Sequence, residues 1–109
     1  MVNEVRRFDI CLVSLDPTRG SEIRKTRPCV VVSPDEMNRY LRTVIVVPMT
    51  TASRSYPTRI GLRFQGKNGQ IAIDQIRTID RDRIVRRIGR VTDATAQKLC
   101  TVLAETFAY

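Results

Sequence analysis

Three short runs of apolar, mostly β-branched residues, 8–15 (FDICLVSL), 28–33 (PCVVVS) and 43–49 (TVIVVPM), constrain the fold most. Each is too short for a core helix and is bounded by turn-forming residues, as buried strands are. Segments 58–64 (TRIGLRF) and 70–79 (QIAIDQIRTI) alternate instead, which predicts strands with an inward face carrying Ile71 and Ile73, Ile76 being a further apolar position out of that phase. Between them, Gly66-Lys67-Asn68-Gly69 predicts a hairpin turn, because Asn and Gly tolerate positive φ. A last strand is expected over 84–91 (IVRRIGRV). Short strands separated by turns at roughly ten-residue intervals predict a small barrel or sandwich.

Two helices interrupt this pattern. Ser33-Pro34-Asp35-Glu36 has the form of a capping box with proline opening the helix, which predicts a short helix over 34–41. Thr92 is a good N-cap, Asp93 suits the positive first turn, and Leu99, Val102, Leu103 and Phe107 give one apolar face for packing on the sheet. At 109 residues and 42% apolar content, a single domain over 1–109 is expected. No stretch approaches ~18 consecutive apolar residues, and MVNEVRRFDI lacks the apolar run of a secretion signal, so a cytoplasmic protein with no membrane association is expected. Cys11, Cys29 and Cys100 are odd in number, far apart and form no C-x-x-C pair, which predicts buried thiols rather than disulfides or a zinc site.

Lysine and arginine total 19 against 11 acidic residues, a net charge of +8, and sixteen of the cations are arginine. Guanidinium grips phosphate with two prongs and stacks on bases, so the bias predicts an anionic partner, nucleic acid first. Arg81, Arg83, Arg86, Arg87 and Arg90 fall within ten residues, a run that reads either as part of such a surface or as a solvated face. The chain has no histidine. That excludes a histidine-pair ribonuclease, a Ser-His-Asp hydrolase and a histidine-ligated metal enzyme, and leaves acid–base work to groups that titrate far from neutrality.

The sharpest local change lies in 15–34, LDPTRGSEIRKTRPCVVVSP, where a polar, turn-forming stretch runs directly into a valine-rich strand. Arg27 stands at the junction, and Pro28 biases it toward extended backbone, the place for a phosphate-holding residue at the mouth of a loop. Thr50 ends the third predicted strand as the chain enters Thr51-Ala52-Ser53-Arg54-Ser55-Tyr56-Pro57; a hydroxyl there is ordinarily a turn former. Asp74, with Gln75 and Arg77 beside it, reads in an alternating strand as an inward carboxylate sharing a face with Ile76 and Thr78, serving either catalysis or a structural pairing with arginine.

Together these segments resemble the MazF/PemK family of toxin endoribonucleases from type II toxin–antitoxin pairs. The resemblance covers nearly the whole chain through LDPTRGSE, KTRPCVVVSP, Asn38, VVPMT, DQIRTID and a closing helix, and its first block is the most specific. It implies a mainly β fold, an SH3-like barrel with short helices and one at the C-terminus. It also implies a homodimer that cuts single-stranded RNA at short motifs, with no cofactor and no metal. By the resemblance Arg27 and Thr50 are the catalytic pair; Asp74 is a third catalytic candidate on chemical grounds, to orient Arg27 or to accept the 2′-proton. The Asp16 to Glu22 loop borders the RNA groove, so Thr18, Arg19, Gly20, Ser21 and Glu22 are candidate substrate contacts, as are Lys25, Thr51, Ser53, Arg54, Tyr56, Gln75 and Arg77.

One branch of the family uses a histidine in the first loop and an arginine two residues before the DQ aspartate; here Ser21 and Ala72 stand there, so that branch's acid–base scheme does not transfer. The family's common Gly-Asp-Ile-Trp opening is replaced by Phe8-Asp9-Ile10-Cys11. Expected partners are a cognate antitoxin with an acidic flexible tail and, through the antitoxin complex, promoter DNA. Two alternatives stand beside the endoribonuclease: a gyrase-binding toxin of the same fold, which resembles a pattern with a C-terminal tryptophan that this chain lacks, and an inactive RNA-binding barrel.

Overall fold

The computed structural model describes residues 4–15 and 25–109. Among these residues seven strands form: β1 Asp9–Ser14, β2 Thr26–Val31, β3 Thr43–Thr50, β4 Arg59–Phe64, β5 Lys67–Ala72, β6 Arg77–Asp80 and β7 Ile84–Arg90. Helix α1, Asp35–Tyr40, joins β2 to β3, and α2, Asp93–Phe107, closes the chain. The strands run in the order β4-β5-β3-β2-β1-β7, with β6 also on β3, and their pairings are antiparallel.

The long strand β3 organises this sheet because it changes partner along its length. Val44 and Val46 face Ile79 and Arg77 of β6, whereas Met49 and Thr50 face Ile71 and Gln70 of β5. Pro48, which has no N–H to donate, falls at the switch, where the ladder is interrupted anyway. The sheet is buried on both sides. Val30 and Val47 join Ile10, Ile60, Ile71, Ile73 and Leu99 in one apolar layer; Cys29, Val31, Val44 and Val46 join Cys11, Val13, Ile79 and Ile84 in the other. Strands covered on both faces need no polar side, which is why β2 and β3 read as near-continuous valine runs.

Helix α2 covers the first layer. Thr92 is its N-cap, its hydroxyl accepting from the Thr95 N–H at 3.2 Å. Ala96 and Leu99 are buried, with Val102 and Leu103 packed beside them, but Phe107 is exposed, so the apolar face stops short of it. Truncating the wholly buried Leu99 to alanine would cost ~2–5 kcal/mol.

Four local expectations need correction. The hairpin turn sits at Gln65-Gly66, where successive φ values of 51° and 77° make the primed turn that suits strand twist, and Lys67 to Gly69 belong to β5. The segment 70–79 is not one strand: a 3-10 turn at Ile73–Gln75 separates β5 from β6, so the face-sharing of Asp74, Ile76 and Thr78 does not hold. Ser33 makes no capping box. Its buried hydroxyl bonds to the Asn38 side chain and accepts from the Ile45 N–H, while Pro34 occupies the N-cap. The 81–90 arginines are mostly structural: Arg81 donates to the Leu41 carbonyl, Arg83 to those of Ser14 and Leu15, and Arg87 and Arg90 pair with the buried Asp9. Of the five, Arg86 alone has no such bond among the described residues.

Cys11 and Cys29 are buried and directly opposite each other in the β1–β2 register; both are free thiols. Burial pushes Cys11 up to about 11 and Cys29 up to about 12. No helix among the described residues is long and apolar enough to cross a membrane.

Candidate functional site

Arg27 lies near the start of β2 and Thr50 at the end of the neighbouring strand β3. The β2–β3 ladder pairs Cys29 with Pro48, and the same antiparallel count continued by two residues sets Arg27 across from Thr50. Opposed residues of an antiparallel pair project to one face. Two residues 23 positions apart thus stand at neighbouring ends of adjacent strands.

An open concavity of ≈ 410 Å³ lies on this side, lined by Leu15, Lys25, Thr26, Arg27, Pro48, Gln75 and Arg77. Three of the seven are cationic and none is acidic, and Arg27 makes no ion pair among the described residues. Burial raises the Cys29 thiol, and the charges of Arg27 and Arg77 act on it in the opposite direction. The Ile73–Gln75 turn explains how Gln75 and Arg77 arrive there: it lets the chain leave β5 and rejoin β3 as β6, with Arg77 beside Val46.

Thr50 has its own local bond. Its hydroxyl oxygen accepts from the Ala52 N–H at 3.1 Å, the turn-forming role, and this leaves the hydroxyl proton to donate outward. The following segment is held to β5 by Gln70, whose amide accepts from the Arg54 N–H at 3.1 Å and donates to the Arg54 carbonyl at 3.0 Å. Ser53 contributes its carbonyl to the Arg54 guanidinium, and Thr51 is exposed. Tyr56 is half exposed, with the Arg59 guanidinium 5.2 Å over its ring.

Asp74 stands in a different cluster from Arg27. Arg59 Nε donates to its Oδ1 at 2.8 Å, Arg59 Nη2 to its Oδ2 at 3.2 Å, and the Thr58 hydroxyl to Oδ1 at 3.0 Å. The hydrogen bond from Arg59 holds the Asp74 carboxyl below the usual carboxylate range. Thr18, Arg19, Gly20, Ser21 and Glu22 lie outside the described residues.

Two glycine-region residues that sequence patterning reads only as turn or strand filler prove to shape the site. A Cβ on Gly69 would stand 2.9 Å from the Thr50 carbonyl oxygen, so β5 can approach the end of β3 only with glycine there. Gln70, beside it, faces Thr50 in register and clamps the next segment. The only signal in the sequence is a Gly-Gln pair directly before the apolar Ile71-Ala72 end of the strand. Another depression, ≈ 540 Å³ and lined by residues including Glu4, Arg6, Asp35, Asn38 and Arg81, mixes both charge signs and contains none of the candidate residues. Among the described residues no group of three or more Cys, Asp or Glu could hold a metal ion.

Residues 6–107 match the family described as PemK-like, MazF-like toxins of type II toxin–antitoxin systems. The chain is 41% identical over 105 residues to the Endoribonuclease MazF9 of Mycobacterium tuberculosis, covering 87% of this chain and 89% of that one. It is 37% identical over 100 residues to the Endoribonuclease PemK of Escherichia coli, covering 84% and 73%. Among solved structures, an endoribonuclease in complex with its cognate antitoxin from a mycobacterial species superposes with a TM-score of 0.80 at 27% identity, covering 96% of this chain and 98% of that one. The chain therefore belongs to the PemK-like, MazF-like family of type II toxin–antitoxin toxins, with the family's half-barrel sheet and C-terminal helix.

Proposed function

We propose that this toxin is an endoribonuclease that cuts single-stranded RNA at a short motif without a metal, arresting translation and growth until a cognate antitoxin blocks it. The observation that carries the reading is that Arg27 and Thr50 stand at neighbouring ends of adjacent strands, with Arg27 lining a concavity that holds three cations and no carboxylate.

RNA brings its own nucleophile. The 2′-oxygen bonds to phosphorus as the bond from phosphorus to the 5′-oxygen breaks; the 2′-hydroxyl loses its proton and the 5′-oxygen gains one. The products are a 2′,3′-cyclic phosphate and a 5′-hydroxyl. The protein's work is to align attack and to stabilise the charge gathering on the non-bridging oxygens. Arg27 takes those oxygens with two parallel N–H donors, and the Thr50 hydroxyl donates to the same phosphate. Lys25 and Arg77 hold flanking phosphates, Gln75 contacts the strand between them, and Thr51, Ser53, Arg54 and Tyr56 line the exit side. Asp74 acts as a support: tied to Arg59 and Thr58, it fixes the turn that delivers Gln75 and Arg77.

The toxin works as a homodimer. The antitoxin's acidic flexible tail suits this basic surface by charge, and the joint complex reaches promoter DNA mainly through the antitoxin. The test is incubation of purified protein with a long single-stranded RNA in EDTA, followed by mapping of new ends. Cuts at one motif, abolished in Arg27→Ala and in Thr50→Ala, support the proposal; RNA left intact at high protein concentration removes it.

A further inference from the structure

The segment 51–58, between β3 and β4, forms neither helix nor strand, yet a single side chain ties it to the rest of the site. That side chain belongs to Arg59, the first residue of β4. Arg59 faces Ala72 in the β4–β5 register and reaches the residues two places to either side, Gln70 and Asp74. Such diagonal neighbours lie within range of a long side chain. Nε and Nη2 take the two oxygens of Asp74, Nη1 donates to Gln70 Oε1 at 3.4 Å, and the guanidinium stands over the Tyr56 ring. The side chain is only 6% exposed, so its donors face protein rather than solvent.

Each tie leads to a different part of the candidate site. Gln70 holds both backbone groups of Arg54, so the guanidinium braces the 51–58 segment through it. Tyr56 belongs to the same segment, and the Arg59 N–H donates to its carbonyl at 3.1 Å. Asp74 belongs to the Ile73–Gln75 turn, which delivers Gln75 and Arg77 to the concavity. A planar fork suits this post, because it fixes several acceptors at once where an ammonium is a point charge on a flexible stem.

We propose that Arg59 is a positioning residue for RNA cleavage, locking the 51–58 segment to the Ile73–Gln75 turn so that the contacts on each meet the strand as one preset surface. The inference rests on the endoribonuclease reading above, and adds to it a residue that acts without touching RNA. A preset surface avoids the ordering cost that a loose segment pays on binding. Loss of Arg59 therefore weakens binding of the strand and leaves the step at the phosphate, served by Arg27 and Thr50, largely as it was.

Arg59→Ala is the test, with two readouts. The Arg54 amide hydrogen, held by Gln70, is expected to exchange at least about tenfold faster than in the wild type, while the amides of Val30 and Val47 in the core keep their protection. On a defined single-stranded RNA in EDTA, KM is expected to rise about tenfold with kcat within about threefold of the wild type. Arg59→Lys should share both effects. Unchanged Arg54 exchange, core amides loosening along with it, or a fall in kcat at constant KM overturns the assignment and leaves the endoribonuclease standing. If the unpaired Asp74 carboxylate keeps Arg59→Ala from folding, the double variant Arg59→Ala, Asp74→Asn removes both charges and carries the same expectations. If the wild type leaves the RNA whole, the endoribonuclease reading falls and affinity for the uncut strand replaces KM: about a tenfold loss in Arg59→Ala supports the lock, and unchanged affinity overturns it.

Discussion

Replacing Gly69 by alanine places a methyl carbon 2.9 Å from the carbonyl oxygen of Thr50 and 3.7 Å from its carbonyl carbon. Contact at 2.9 Å is shorter than real Cβ atoms tolerate, and the obstacle is backbone, which cannot swing aside as a flexible side chain would. Restoring an ordinary separation of at least 3.4 Å requires the end of β3 and the start of β5 to part by about 0.5 Å. Overpacking of this kind costs ~1–3 kcal/mol, or a fall in Tm of about 4 °C per kcal/mol for a domain this size. The displaced atoms belong to Thr50, the residue proposed to donate to the phosphate. A misplacement near 1 Å costs about 100-fold in rate, so half of that predicts about a 10-fold loss of RNA cleavage. Gly61 supplies the control: it lies on β4 opposite Gln70, and nothing stands within 4 Å of its Cβ position. Gly61→Ala should leave cleavage unchanged. The assay is initial cleavage rate on a defined oligonucleotide in EDTA, at a temperature well below both melting midpoints. Full activity in a folded Gly69→Ala protein would refute the claim that the β5 approach sets Thr50.

Arg27→Lys should lose cleavage by about 100-fold or more while keeping its charge, because an ammonium cannot offer two parallel donors; the rate on the same oligonucleotide checks this. Asp74→Asn should lower Tm by a few degrees at pH 7. The Asp74 carboxyl is depressed in the fold, so its stabilisation is present above the ordinary carboxylate range near 3.8 and lost as pH falls below it, and the Tm gap between wild type and variant should close in acid. The thiols titrate with the opposite sense: Cys11 and Cys29 stabilise the fold fully below pH ~9, and this contribution is lost as pH rises toward about 11 and about 12. A disulfide-exchange reagent at pH 8 should accordingly reach only the half-buried Cys100 in the native protein and all three thiols after denaturation.

What the sequence made legible follows from how far each signal reaches along the chain. Strands β2 and β3 announce themselves because two-sided burial writes continuous valine runs, and α2 because Thr92 and the Leu99 face lie within one helix. Arg27 stands out in the sequence because a turn-rich stretch meets a strand at that residue, whereas Thr50 enters as its proposed partner only through the family resemblance. The errors are failures of local inference. Alternation across 70–79 assumed an unbroken strand, whereas β3 needs two different partners and the chain turns at Ile73–Gln75 to supply them. The arginines of 81–90 resemble a binding surface until Ser14, Leu41 and Asp9, far away in sequence, are seen to occupy them.

The chemistry of the cut ends tests the central claim most directly. Cleavage of single-stranded RNA in EDTA by the Arg27/Thr50 site should leave a 2′,3′-cyclic phosphate and a 5′-hydroxyl, and an oligonucleotide lacking the 2′-hydroxyl at the cut position should stay whole. A 5′-phosphate with a 3′-hydroxyl, or cutting of the 2′-deoxy oligonucleotide at the same place, would contradict it.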